Sequence, residues 1–391
     1  MKHFSAQYIF TGTGAPLKRG IVTAGDDGTI TGVEDTGGNL AEKESVEFHN
    51  GIIIPGFVNC HCHLELSHMK NRIPQKTGLT EFLRLFRSGR EASTENIISC
   101  ASEADAAMYN DGTVLCADIC NTASTFDLKK SSKIRYINLL EVFGIDPEKA
   151  TRRIDEIRQI SEIARVKGLP YSIVPHSAYS ISKTLFRLLL EETRSNKITS
   201  IHFMESGAEE IFLASHGGPL MNSYTESGLL SGNPETVKDH ASAVTDEITD
   251  SGNLILVHNT YADRETIRKA NKRGNLFWCL CPNANLYIEN HMPPLDLLVV
   301  EECRIVIGTD SYAANNRLSI LDELKTLHSY FPELPLSDLL KWATLNGAMA
   351  LGEEDHFGSI TPGKKPGLLL LQDIDLQKQK LLPESRITRL I

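Results

Sequence analysis

The stretch Val58-Asn-Cys-His-Cys-His63 places two histidines two residues apart, at the end of an apolar, β-branched run that begins at Ile52. In a strand, residues i and i+2 project from the same face, so His61 and His63 aim two imidazoles in one direction. Two neutral imidazoles on one face are half of a divalent metal site. A His-x-His pair alone is equally compatible with hydrogen-bonded core histidines. Its weight comes from further candidates, each closing another short apolar run. They are His176 in Pro-His-Ser-Ala-Tyr-Ser, His202 and Glu205 in His-Phe-Met-Glu, and His258 in Leu-Val-His. Asn285 in Cys-Pro-Asn-Ala-Asn and Asp310 in Gly-Thr-Asp complete the series. Imidazoles and a carboxylate from separate segments are the donors of a hydrolytic metal site, and Glu and His are groups that move protons.

Such residues must be brought to one place by the elements that carry them. Strand patterns fall at 52–59, 113–118, 135–142, 171–175, 199–203, 253–258, 275–281 and 304–309. Stretches of helical periodicity alternate with them, for example 154–167, 183–192 and 263–272. This α/β alternation predicts a (β/α)8 TIM-type barrel, where functional residues gather at the ends of strands. Six of the eight predicted strands end in a polar or metal-competent side chain. Ahead of them, short strand patterns at 7–10, 20–23 and 29–33, with Asp26-Asp27-Gly28 as a hairpin signal, predict a small β unit. Helical stretches at 318–325 and 339–351 lead to a turn and strand at 358–371. The expected organisation is therefore a barrel over 55–352, with 1–54 and 353–391 as the two parts of one small β-sandwich module.

The 391 residues carry a formal charge of −10, which argues against a protein that grips a nucleic-acid backbone. No run of about 20 apolar residues offers a membrane span. Met1-Lys-His-Phe-Ser is not followed by the apolar core of a secretion signal. The eight cysteines lie mostly in apolar strand-like runs, as at Cys60, Cys62, Cys116, Cys279 and Cys281, and read as reduced thiols of a cytoplasmic protein. No C-x-x-C pair suggests a cysteine-rich zinc site. His63-Leu-Glu65 matches the H-x-E of cytidine deaminases, but their P-C-x-x-C is missing, so that fold is excluded. His68, His216, His240, His291 and His328 lack a strand-end setting and are expected in loops or at the surface.

Pro55-Gly-Phe-Val-Asn-Cys-His-Cys-His63, His202-x-x-Glu205, His258, Pro282-x-x-Asn285 and Gly308-Thr-Asp310 together resemble the amidohydrolase superfamily. The most similar branch holds cytosine, guanine and S-adenosylhomocysteine deaminases and the triazine chlorohydrolases. His176-Ser-Ala-Tyr-Ser180 is similar to a stretch of nucleoside-type and aminofutalosine deaminases. Gly358 to Gly367 resembles the family's closing strand, with Pro366-Gly367 in place of its Ala-Asp.

The resemblance implies one divalent metal on His61, His63, His202 and Asp310, with Zn2+ best suited and Fe2+ or Mn2+ as alternatives. It implies an aminohydrolase acting on an amino-substituted purine, pyrimidine or nucleoside-like ring, in which a metal-bound hydroxide attacks and ammonia leaves. Glu205 would shuttle the proton, His258 would orient the hydroxide and stabilise charge, and Asp310 would take the water proton. The alternative for Glu205 is a solvated carboxylate beside Glu209 and Glu210. Segment 171–175 has no Lys to bridge two metals, which favours one metal and ring deamination. Chlorohydrolase or cyclic-amide hydrolase chemistry at the same metal, or a non-catalytic scaffold, are the competing readings. Expected substrate contacts are Glu65, Ser67, Glu141, His176, Tyr179, Asn285 and Tyr312. Pairing with Lys70 or Arg72 is the alternative for Glu65. An amphipathic helix at 80–86 resembles the family's lid segment. A small-molecule substrate and a homodimer are the implied partners.

Overall fold

The computed structural model describes residues 1–40, 45–230, 232, 234–249 and 252–391. Strands β1 (Lys2–Ile9), β2 (Leu17–Lys18), β3 (Ile21–Ala24), β4 (Ile30–Glu34) and β5 (Val46–Pro55) come first. They are followed by β6 (Phe57–Cys62), β7 (Thr113–Cys120), β8 (Arg135–Val142), β9 (Tyr171–Pro175) and β10 (Ile198–Phe203). The last are β11 (Asn253–His258), β12 (Leu276–Leu280), β13 (Ile305–Ile307), β14 (Leu368–Gln372) and β15 (Arg386–Arg389). The predicted strands at 135–142, 171–175 and 253–258 coincide with β8, β9 and β11 to the residue.

Two four-stranded parallel sheets carry the candidate site, β6-β7-β8-β9 and β10-β11-β12-β13. Every residue of β6, β7, β10, β12 and β13 except their loop neighbours is buried. That explains their unbroken apolar runs, since a parallel sheet with helices packed on it hides both faces. Backbone hydrogen bonds also cross between the sheets. His202 N donates to His176 O at 2.8 Å beside β9 and β10. Thr309 N and Asp310 N both donate to His61 O, at 2.9 and 3.0 Å, beside β13 and β6.

Both ends of the chain meet in a third sheet, ordered β15-β14-β5-β1-β3-β4 with β2 on β1. Its own core includes Phe4, Ile9, Val22, Ile30, Ile53, Leu368 and Leu370. The predicted strand at 52–59 is in fact the junction of β5 and β6. β5 pairs with β1 and β14, whereas β6 pairs with β7. The chain crosses between the sheets at Gly56, whose N–H donates to Pro366 O at 3.0 Å. The sheet is further tied to the helix ahead of β7 by Arg389, which donates to Tyr109 O at 2.6 Å and lies over the Tyr109 ring at 3.9 Å.

Two histidines expected at the surface are buried. His68 sits between Glu65 O at 3.2 Å and Arg90 O at 2.9 Å. His328 lies in the Ile320–Tyr330 helix and accepts from Leu381 N at 3.2 Å. The helical pattern at 339–351 forms two helices, Leu336–Trp342 and Leu345–Ala350, because Thr344 leaves helical backbone between them. Among the described residues no helix is long and apolar enough to cross a membrane.

The crossing at Gly56 leaves no room for a side chain. A Cβ there would lie 2.4 Å from Val114 Cγ1 and 2.6 Å from Pro366 O. Gly56→Ala is therefore expected to cost on the order of 2–3 kcal/mol of stability. Adding Val114→Ala should recover only part of it, because the Pro366 carbonyl is backbone. Urea denaturation of the two variants checks this, and a Gly56→Ala protein as stable as the wild type would refute it.

Candidate metal centre and catalytic cavity

Alternation along β6 turns His61 and His63 the same way, and their Nε2 atoms lie 3.1 Å apart. Asp310 Oδ1 stands 3.4 Å from His63 Nε2 and 3.7 Å from His61 Nε2. His202 brings the third imidazole, and ligand atoms of His61, His63 and His202 all lie within 4.8 Å of one another. His202 Nδ1 is 2.9 Å from the carbonyl of His176, which can only accept. Nδ1 must then carry the proton, leaving the Nε2 lone pair free. Two donors about 2.1 Å from one ion stand roughly 3.0–3.4 Å apart, so the His61 and His63 spacing suits a shared cation. Burial, reinforced by the neighbouring imidazoles, holds both far below the ordinary imidazole range. Neutral imidazoles and one carboxylate are the donor set of a divalent first-row metal, and these residues fit it.

The cluster needs close packing behind it. Gly308 lies against His61: a Cβ there would sit 2.8 Å from His61 Cβ and 2.9 Å from Cys279 Sγ. Leu64 N, immediately after His63, donates to Asp118 Oδ1 at 2.6 Å. Asp118 is buried and paired with Lys129, whose Nζ also lies 3.0 Å from Asn138 Oδ1. Asp310 and His258 both have positive φ, 56° and 75°. Asp and His tolerate this left-handed backbone better than most residues, and it re-aims each side chain at a strand end.

Glu205 offers a carboxyl of the kind that can move protons. It is 7% exposed, and Tyr179 donates its hydroxyl to Oε1. Its other oxygen is 3.5 Å from His258 Nε2. Burial pushes the Glu205 carboxyl up to about 7, against the pull of His202 and the Tyr179 hydrogen bond. Glu209 is also buried, and its carboxylate accepts from Glu205 N at 3.0 Å. Glu209 thus holds the backbone of Glu205 in place, and Glu205 is buried rather than a solvated carboxylate. Asn285 stands behind His258, with Oδ1 2.9 Å from Nδ1. That fixes the His258 ring with Nε2 towards Glu205.

A cavity of about 280 Å³ opens beside this cluster, lined at its polar end by His63, Asn121, Glu141, His176 and Tyr179. Three of the expected substrate contacts, Glu141, His176 and Tyr179, therefore line it. Glu141 accepts from Asn121 Nδ2 at 3.0 Å through Oε2, while its buried Oε1 accepts no hydrogen bond from the described residues and lies 3.7 Å from His202 Nδ1. Ser177 and Ser180 hydroxyls each lie 2.8 Å from His176 Nδ1.

The other four expected contacts are placed elsewhere. Glu65 accepts from Asn121 N, Thr122 N and Thr122 Oγ1 at 3.0, 3.1 and 2.8 Å, so it ties the first loop to the second. It pairs with neither Lys70 nor Arg72. Ser67 Oγ donates to Leu64 O at 2.7 Å, inside its own helical turn. Asn285 touches His258, and Tyr312 packs beside Cys62 and Leu64 with Lys70 over its ring. Asn121 was overlooked in the sequence, although it directly follows β7 and the strand-end rule applies to it. Leu83, Phe86, Arg87 and Arg90, from the helix Leu79–Gly89 and its C-cap, also line the cavity. The amphipathic pattern at 80–86 points to Leu83 and Phe86, and no pattern in the sequence marks Arg87 or Arg90.

The sequence profile of the Amidohydrolase family matches residues 52–387. A 5-methylthioadenosine/S-adenosylhomocysteine deaminase of Pyrococcus abyssi is 24% identical over 366 residues, covering 88% of this chain and 79% of that protein. The crystal structure of Helicobacter pylori aminofutalosine deaminase in complex with methylthio-coformycin superposes with a TM-score of 0.82. It is 22% identical, with 97% of this chain and 94% of that one covered. An adenosine deaminase from Xanthomonas campestris with bound zinc gives 0.66 at 20% identity, covering 98% and 87%.

Two substitutions probe the cluster. Elemental analysis is expected to find a divalent ion in the parent protein and none in the His61→Ala/His63→Ala double variant. Gly308→Ala should weaken metal affinity at least tenfold by displacing His61, read by competition with a chromogenic chelator. Wild-type affinity in Gly308→Ala would show that His61 does not depend on that contact.

Proposed function

Because this chain belongs to the amidohydrolase family, we propose that it is a metal-dependent aminohydrolase. It replaces the exocyclic amine of a purine nucleoside or related ring with oxygen and releases ammonia. The observation that carries this is the buried Glu205 carboxyl, at about 7, set between Tyr179 and His258 beside the three-histidine, one-aspartate donor set. Kinship with named deaminases supports the same reading. So does the arrangement of β6–β13, which we read as a closed (β/α)8 barrel over 55–352. Residues 1–54 and 353–391 then form the attached module, a small sandwich around its own core.

His61, His63, His202 and Asp310 would hold one divalent ion, with zinc the best match to their N and O donors. When bound there, such an ion acidifies water towards a pKa of about 7. Asp310 also presents a carboxylate oxygen that can accept a proton from that water. Glu205 near neutrality is divided between its two protonation states, as a group that both donates and accepts must be. It protonates the ring nitrogen next to the reacting carbon, then, as a carboxylate, takes the proton of the hydroxyl newly joined to that carbon and passes it to the departing amine. His258, held by Asn285, faces the oxygen that becomes negative and stabilises it. Tyr179 fixes the carboxyl of Glu205. His176 and Glu141 Oε1, which accepts no hydrogen bond from the described residues, would receive polar groups of the ring or ribose. In balance, ring C–NH2 and water give ring C=O and ammonia. The exclusion of bulk water by the buried cluster makes each charge interaction count for more. A cytoplasmic setting agrees with the free thiols.

Zinc-loaded protein screened for ammonia release against adenosine, 5′-methylthioadenosine, guanine and cytosine tests the reading. Turnover of at least one purine compound is expected. Glu205→Gln should keep its metal yet lose roughly 10²–10⁴-fold in kcat. Ammonia from none of the compounds, or an unimpaired Glu205→Gln, would overturn it.

A further inference from the structure

Lys129 is a buried cation, 4% exposed, in the helix Phe126–Ser131. Its Nζ pairs with the Asp118 carboxylate and lies 3.0 Å from both Cys120 Sγ and Asn138 Oδ1. The ring centroids of Phe126 and Tyr136 are each 5.6 Å away. Taking an ammonium and a carboxylate out of water is costly, and an apolar pair of similar volume often serves folding as well or better. Stability is therefore a poor reason for this pair.

The other oxygen of the carboxylate supplies a better one. Lys129 holds Asp118 Oδ2, and Oδ1 accepts from Leu64 N at 2.6 Å. Leu64 opens the 3-10 helix Leu64–Met69, and His63, at its N-cap, makes no side-chain cap. The Leu64 N–H is one of the donors that a helix start leaves open, and Asp118 meets it from β7 with a charged acceptor. This N–H also lies in the peptide plane that follows His63 Cα. The orientation of that plane is the ψ angle of His63, 79°, so an acceptor for Leu64 N governs how His63 leaves β6. His61 is placed by other means: it lies within β6, and its carbonyl accepts from Thr309 N and Asp310 N. His63 stands one residue past β6, and the β6–β7 register already shifts between Asn59 and Cys62. The ladder therefore does not carry through to His63.

We propose that Asp118 is a positioning residue of the metal centre. Held by Lys129, its carboxylate fixes the backbone after His63 and thereby the aim of that imidazole at the ion. The assignment rests on the metal-binding part of the deaminase reading and concerns affinity for the ion. Groups that orient a metal ligand in this way are worth roughly 10–100-fold in metal affinity.

Two double variants that both remove the charge pair test this, because they differ only in the acceptor. Asp118→Asn/Lys129→Met keeps a side-chain oxygen for Leu64 N, and Asp118→Leu/Lys129→Met does not. Zinc affinity is measured by chelator competition, and the cobalt-substituted proteins are compared by visible absorption. The Asn variant is expected to bind zinc nearly as tightly as the wild type and to keep the wild-type cobalt bands. The Leu variant should bind roughly 10–100-fold more weakly, with bands of altered intensity. Equal affinities in the two, whether high or low, would overturn the proposal, since the acceptor would then not set the affinity. Asp118→Glu keeps the charge pair but carries the acceptor one methylene further, and it serves if the Leu variant does not fold. It should weaken zinc binding by about tenfold, and wild-type affinity there would overturn the proposal. A wild-type protein that takes up no zinc sinks the metal reading and this assignment together. Zinc bound equally well by the wild type and both double variants sinks the assignment alone.

Discussion

The carbonyl oxygen of His61 accepts from two consecutive N–H groups, those of Thr309 and Asp310. That shared acceptor joins the first metal-competent histidine to the aspartate that faces it. Neither side chain could hold its spacing without it, because each sits at a strand end where the ladder stops. Around the junction there is no slack. Gly308 has no Cβ, and His61 and two cysteine sulfurs fill the space one would need, while Asn59 Nδ2 donates to Thr309 Oγ1 at 2.8 Å beneath it. Close packing converts a weak local preference for rotamers into a fixed direction for two imidazoles.

Buried carboxylates repeat this logic around the rim. Asp118 holds the backbone just after His63, and Glu65 links the first two loops. Glu209 holds the backbone of Glu205. Glu323 accepts from Asn283 N at 2.9 Å and from Asn315 Nδ2 at 2.7 Å, thereby joining the loop after β12 to the loop after β13. Burial pushes the Glu323 carboxyl up to about 8. Each such group is costly to bury, and each offsets that cost by accepting N–H or O–H donors that would otherwise be orphaned. The loops are thus rigid without being apolar. Rigidity matters because general acid–base groups and ligands act only within narrow limits of distance and angle.

The sequence made the strands and the metal-competent residues legible for a simple reason. Buried parallel strands are continuous apolar runs, and the residue closing each run is the one the fold exposes to the cavity. β8, β9 and β11 could be bounded to the residue, and His61, His63, His202, Glu205, His258 and Asp310 stood at such ends. What could not be read was direction within loops. Glu65 and Ser67 follow His63 closely, yet a turn of 3-10 helix points their oxygens at backbone rather than into the cavity. Glu209 and Glu323 are polar residues on helices, and nothing in their spacing marks them as buried. Arg87 and Arg90 are distant from any strand end, so no periodicity marked them. The join of β5 and β6 was hidden because both strands are apolar, and only pairing partners separate them.

Asn59 and Thr309, which meet beneath the junction, are 250 residues apart in the chain. During synthesis the two histidines of β6 leave the ribosome early, and the aspartate leaves near the end. At ordinary rates of elongation the interval is roughly 12–50 s. Throughout it the imidazole pair lacks the carboxylate and the backbone donors that fix it, so it is open to any thiol-compatible or imidazole-seeking cation nearby. The full donor set therefore exists only once the last of these strands has docked.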